Sequence, residues 1–225
     1  MIGRALRLAA LVAAIAQIAP AYYFFLHVRS GEDGLRLIPE KFDLAALATG
    51  RVQYLVSAKT PEKMAEGDSL NSLLSQLRAA AGVWNSVEDY TLRLEFGGVT
   101  STASEQVTPG IDVVFEELPP GLIAIAGPTA RSESVRRGED EFVPIRRSVM
   151  MLPKDLSKQR TFEDQFFLTL VHELGHAVGL QHTMTSSVMS TSVTRGTTRA
   201  APLADDDRAG VATLYPVPGS SARNG

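Results

Sequence analysis

The chain has 225 residues, 44 % hydrophobic and 21 % charged, which suits one sizeable domain or two small ones and argues against disorder. It contains no cysteine, so disulfides, a thiolate metal site and a cysteine nucleophile are excluded. The formal net charge is -3 and there is no long basic run, which points away from a nucleic-acid partner.

The first element is apolar. Arg4 and Arg7 precede "LAALVAAIAQIAPAYYFFLHV", Leu8 to Val28, which is uncharged if His27 is neutral. A bilayer-spanning helix needs roughly 20 such residues. Basic residues in front of it keep the N-terminus in the cytoplasm and export the C-terminal part of the chain. A cleaved signal peptide fits the same stretch, because Ala19-Pro20-Ala21 has the small residues of a cleavage site. The aromatic continuation "YYFFLHV" favours an uncleaved anchor. Residues 1–29 therefore read as signal-anchor or signal peptide, and either places the domain outside the cytoplasm. Residues 30–50 mix Gly, Pro and charge, as a linker or short pro-segment does.

A folded domain is expected over 51–216. "RVQYLVSA" alternates at Val52, Tyr54 and Val56, a strand pattern. Leu70, Leu73, Leu74, Leu77, Ala81, Trp84 and Val87 form one apolar stripe on a helix over 68–87, capped by Asp68 or Ser69. Trp84, on that stripe, reads as core. Strands are expected at 91–96, 111–117, 121–127 and 146–152, with loops at 97–110 and in the charge-rich stretch 131–142. A second helix starts near Thr161, where "TFED" has the form of a capping box with Asp164 as the acid, and stops at Gly179. A Ser/Thr-rich loop leads to a short helix in "DDDRAGVATLY", and 217–225 is a flexible tail.

Three of the four histidines fall in "HELGHAVGLQH", residues 172 to 182. On a helix, His172 and His176 lie on one face and can reach one metal ion, with Glu173 beside them. Alone, this five-residue pattern also arises in helices whose histidines merely face solvent. Gly179 permits a left-handed turn that ends the helix and brings His182 to the same ion. Three nitrogens and one open position make a catalytic zinc site rather than a closed structural one.

The extended pattern H-E-x-x-H-x-x-G-x-x-H resembles the metzincin zinc endopeptidases, and their matrixin branch (peptidase family M10) in particular. Met189, in "TSSVMS", is similar to the methionine that these proteins place in a turn beneath the zinc; Met184 is too close to His182 for that. Thr183 resembles the Ser or Thr that often follows the last ligand. "LADDDRAGVATLYP" is similar to the matrixin C-terminal helix at Asp206, Asp207, Gly210 and Tyr215. The likeness is sharp over 171–216 and extends in element order over 51–216. It implies an α/β (α+β) zincin domain with a mixed, twisted five-stranded sheet, two long helices, an active-site helix, a Met-turn and a C-terminal helix. Departures exist. No tyrosine lies between Met189 and Tyr215, no histidines remain for a structural zinc, and no cysteine could serve as a latency switch. Arg208 replaces the usual aliphatic residue, and the Ca2+ ions of some matrixins can be placed on no residue here.

The expected function is that of a zinc endopeptidase acting on extracytoplasmic proteins. His172, His176 and His182 bind one catalytic Zn2+, Glu173 acts as general base, and Gly179 and Met189 support the site. By resemblance, "GLIAIAG" is an antiparallel edge strand, in which Ile123, Ala124, Ile125 and Ala126 pair with an extended peptide. From its residues alone it is equally an ordinary core strand. The loop "STSVTRGTTRAAP" is expected to shape the specificity pocket. The partner is a peptide or protein, with the membrane added if the N-terminal segment stays uncleaved. The alternative is a zinc-stabilised binding or adaptor domain with little turnover, against which Glu173 speaks, since a structural site needs no base.

Overall fold

The computed structural model describes residues 22–31, 34–101, 109–191 and 196–218. In chain order, β1 (Tyr23–Phe24), β2 (Leu26–Gly31) and β3 (Gly34–Lys41) come first, then β4 (Val52–Ser57) and β5 (Lys63–Met64). Helix α1 (Leu70–Asn85) leads into β6 (Leu94–Thr100), β7 (Gly110–Glu116), β8 (Ile125–Ala130), β9 (Val135–Arg137), β10 (Asp140–Pro153) and β11 (Asp155–Leu156). Helix α2 (Asp164–Ala177), β12 (Leu180–Gln181) and α3 (Asp205–Leu214) follow.

Strands β6, β4, β7 and β10 are parallel neighbours in that order, and β8 runs antiparallel along the other side of β10. These are five strands of mixed direction, but the sheet has eight among the described residues. The first half of β10 adds the β2–β3 hairpin through Val143 and Pro144 and adds β9 through residues 140–142. That half of β10 reads as loop in the sequence because its charges hide the alternation. In the structure Phe142 is buried, while Glu141 pairs with Arg136 at 2.8 Å across the β9–β10 turn. The strand expected at 121–127 is shifted to 125–130, and that expected at 91–96 to 94–100, because Gly127-Pro128 and Gly97-Gly98 look like breakers yet lie inside strands.

Helix α1 is capped as expected from Ser69, whose hydroxyl accepts the Ser72 N–H at 3.2 Å while the Ser72 hydroxyl accepts the Ser69 N–H at 2.9 Å. Its stripe buries Leu73, Leu77 and Trp84 completely, each leucine contributing about 1.5–3 kcal/mol of transfer free energy. Trp84 donates its indole N–H to the Val171 carbonyl at 2.8 Å, tying α1 to α2. Helix α2 is buried from Phe166 to Ala177, so it runs through the core rather than over it. The expected capping box is absent. Glu163 is the N-cap without a side-chain bond, and Thr161 instead binds Asp68 through its N–H at 2.7 Å and its hydroxyl at 2.9 Å.

Residues 1–21, most of the expected anchor or signal peptide, lie outside the described residues, as do 219–225 of the tail. The aromatic end of the apolar run is not helical. β1 pairs antiparallel with β12, Tyr23 opposite Gln181 and Phe24 opposite Leu180. The Phe25 N–H bonds to the Gly179 carbonyl at 2.9 Å, and the Tyr22 hydroxyl lies 2.9 Å from Thr213 Oγ1. Nor is 30–50 a linker: it forms most of the β2–β3 hairpin and buries Phe42. Among the described residues no helix is long and apolar enough to cross a membrane.

Candidate active site and metal centre

Helix α2 carries His172 and His176 one turn apart, with their Nε2 atoms 3.0 Å from each other. Gly179 then adopts φ +109°, and a Cβ there would stand 2.5 Å from the Glu40 carbonyl oxygen. Glycine alone satisfies both demands. The turn feeds β12 and delivers His182, whose Nε2 is 3.1 Å from that of His176 and 3.3 Å from that of His172. His27 lies apart, in β2, 3.6 Å from Glu40.

The other ring nitrogens explain this convergence. His172 Nδ1 is 2.6 Å from the Val188 carbonyl and His176 Nδ1 is 2.8 Å from that of Leu180. A carbonyl only accepts, so each Nδ1 carries the proton and each Nε2 presents a lone pair. Converging lone pairs repel unless a cation sits among them. Tetrahedral zinc with Zn–N bonds near 2.0–2.1 Å holds its ligands about 3.3–3.4 Å apart, close to the spacing here. Burial lowers the proton affinity of all three rings, and that of His176 falls to a pKa of about 3 with help from its two neighbours. The rings are therefore neutral, the form that binds metal.

Glu173 is buried beside this cluster. The Ala126 N–H of β8 bonds to its carboxylate, while Oε2 has no partner among the described residues. Burial pushes its pKa up to about 7, against the opposing effect of the Ala126 N–H. Its partnerless oxygen leaves one acceptor position open for a proton.

Met189 is 3 % exposed and packs against Gly175 of α2, whereas Met184 is 90 % exposed. Gly175 sits between the two helical histidines. A Cβ at that position would overlap the Met189 sulfur and lie 2.9 Å from Trp84 Cζ2. The absence of a side chain lets the thioether and the indole pack directly against the helix backbone. Asp207, buried on α3, accepts the N–H groups of Val188 at 3.0 Å, Met189 at 3.1 Å and Ala204 at 2.8 Å. It thus braces the turn whose Val188 carbonyl orients His172. Asp206 accepts the Thr185 hydroxyl at 2.9 Å, and the Tyr215 hydroxyl donates to the Val178 carbonyl at 2.7 Å. Arg208 is exposed, with its guanidinium 3.5 Å from the Leu203 carbonyl, so no aliphatic residue is required there. In sequence the bracing role of Asp207 is hidden, because one acid in a run of three looks like a solvated face. Gly175 carries no sequence signal beyond its place between the ligands.

Of the four residues expected on the edge strand, only Ile125 and Ala126 belong to β8. Ala124 is 7 % exposed and belongs to the core. Ile123 lines a cavity of about 290 Å³ together with Phe166 and Thr169, which share a face of α2 with Glu173. A larger cavity, about 660 Å³, is bordered by Glu62, Lys63, Glu117 and Lys154 and touches none of the histidines. Residues 192–195 of the expected specificity loop lie outside the described residues. Its far end is pinned by Arg199, which stacks 4.2 Å from the Phe167 ring centre and donates to Gln76 at 3.1 Å.

Residues 129–216 match the matrixin family model. The matched stretch runs from the end of β8 through α2 and the histidine cluster to the end of α3, and supports a matrixin-like metzincin catalytic domain. At family level this supports zinc metallopeptidase activity, and the His172–His176–His182 cluster is compatible with its zinc site. No curated protein matches the chain.

Proposed function

We propose that this matrixin-like domain is a zinc-dependent endopeptidase that works outside the cytoplasm on peptide or protein substrates. The observation that carries the reading is the convergence of three Nε2 atoms, those of His172 and His176 presenting lone pairs, with a buried carboxylate beside them. His172, His176 and His182 would hold the zinc, with Met189 as the floor of a Met-turn. Zinc held there supplies a Lewis acid that acidifies a water and polarises the scissile carbonyl. Glu173 takes the proton of the attacking water and returns it to the leaving amine, a role for which its partnerless Oε2 is placed. Strand β8 pairs with an extended substrate, and the Ile123 cavity receives a side chain of the same peptide. A purely structural zinc site would not need Glu173 buried with a free oxygen, which sets the adaptor reading behind this one.

Export is part of the proposal. With Tyr22–Phe25 bonded into the domain, the uncharged run that remains is Leu8–Ala21, fourteen residues. That is short of the roughly 20 needed to span a bilayer and within the 7–15 of a signal-peptide core. Cleavage after Ala21 therefore replaces the anchor as the better reading.

The test is a peptide-library digest by the purified chain. Turnover should vanish with a chelator, return with zinc, and be lost in Glu173→Ala although that variant still binds zinc. A zinc-bound parent chain that cleaves nothing would leave the adaptor reading standing.

A further inference from the structure

Along an edge strand, alternate residues direct both N–H and C=O away from the neighbouring strand. In β8, Ala126 lies opposite Met150, Gly127 opposite Val149 and Pro128 opposite Ser148 of β10. The Ala126 N–H reaches Glu173, so the groups of Ala126 face the cleft. Two residues further on, Pro128 has the same outward orientation. Its missing N–H removes no bond to β10, which is why a proline is tolerated in the middle of this strand. The cleft-facing edge is therefore lopsided. Over Ala126–Pro128 it offers two carbonyls as acceptors, but the Ala126 N–H is held by Glu173 and Pro128 has none, so the next outward N–H is that of Ala130. An antiparallel partner that would normally exchange two hydrogen bonds at each such position can make only one at Pro128.

We propose that Pro128 makes the Ala126–Pro128 stretch of β8 an acceptor-only edge, so that substrates are read on the amino side of the scissile bond through their own N–H groups at two alternate positions. The inference rests on the peptidase reading above. A peptide antiparallel to β8 has its scissile region opposite Ala126, beside Glu173, and its more amino-terminal residues opposite Pro128. The substrate class is then an extended peptide whose residues opposite Ala126 and Pro128 both carry N–H. Proline and N-alkylated residues are excluded there, and the peptide carbonyl opposite Pro128 stays with water. The same lopsided edge cannot form a full ladder with a stray strand, which protects it from self-association.

The test uses the full chain loaded with zinc and two peptides that share a cleavage site. One stops short of the residue opposite Pro128 and the other extends through it. In the parent, N-methylation of that residue should raise KM several-fold. Pro128→Ala and Pro128→Gly both restore the missing donor, so each should lower KM for the longer peptide relative to the shorter by about 2- to 10-fold, the effect of one backbone hydrogen bond. An unchanged or increased ratio in both variants overturns the inference, as does free cleavage of the N-methylated peptide by the parent. So does a gain that tracks extension at the carboxyl end instead. In those three outcomes the peptidase reading survives, because turnover itself is present. No turnover of any peptide by the parent would sink both.

Discussion

Gly175→Ala adds a single methyl at the most crowded point below the histidines. The new Cβ would overlap the Met189 sulfur and approach Trp84 Cζ2 to 2.9 Å. The indole cannot swing aside cheaply, because its N–H is held by the Val171 carbonyl. Overpacking of this kind typically costs about 1–3 kcal/mol. Alanine is the better helix former by about 0.8–1.0 kcal/mol, which offsets part of that. The net expectation is a loss of roughly 0–2 kcal/mol in stability, together with a fall in zinc affinity as α2 is pushed off its floor. Met189→Ala provides the control. It costs about 2–5 kcal/mol by itself, but it empties the space the new methyl needs, so Gly175→Ala should be less damaging in that background. The two substitutions should therefore couple. Urea unfolding followed by the fluorescence of Trp84, the one tryptophan of the chain, measures the stability terms. Competition with a chelator measures zinc. A Gly175→Ala protein as stable as the parent, with unchanged zinc affinity and no coupling to Met189→Ala, would refute the packing described for this site.

Glu173→Ala should retain zinc and the fold while peptide turnover falls about 10²–10⁴-fold, as checked by metal analysis and steady-state kinetics; loss of zinc would instead make Glu173 a ligand. In the metal-free protein the folded Glu173 carboxyl keeps its proton up to about pH 7, whereas an unfolded one releases it near 4.5. Stability should therefore fall as pH rises between those values. Glu173→Gln should lack this fall and be more stable than the parent by about 3 kcal/mol above pH 7; parallel stability curves would contradict the assigned burial effect. Asp207→Asn replaces an acceptor of three N–H groups with an amide whose NH2 cannot accept, so zinc affinity should drop about 10–100-fold through the loosened Val188 turn, and equal affinity in both proteins would argue against that bracing. His182→Ala should reduce zinc binding and activity together, and full occupancy in that variant would leave only the two helical ligands.

The part of the site legible in the sequence is the part that is local in the chain. His172, Glu173, His176, Gly179 and His182 span eleven positions, and helical spacing plus one flexible hinge is enough to bring them together. Met189 and Asp207 are visible only through resemblance: distance from His182 favours Met189 over Met184 only once a turn is expected there, and nothing local separates Asp207 from Asp205. Strand limits fail where Gly127, Pro128 and Gly97 imitate turns, although an edge strand can hold a proline whose nitrogen faces outward. The first half of β10 escapes notice because its charges are paired across a hairpin rather than solvated singly. The N-terminal strands are hidden for a different reason. Tyr23 and Phe24 are strand-like only next to Leu180 and Gln181, far away in the chain, and an isolated aromatic run carries no mark of such a partner.

That last pairing has a mechanical side. Leu180 and Gln181 are the residues that separate His182 from Gly179, and β1 is zipped onto them by backbone bonds continued by Phe25 on the Gly179 carbonyl. A load applied at Tyr22, the amino end of the described domain, would not stop there. It would run along β1 into the short strand that aims the third imidazole, so the first bonds to shear would be those that set the position of His182.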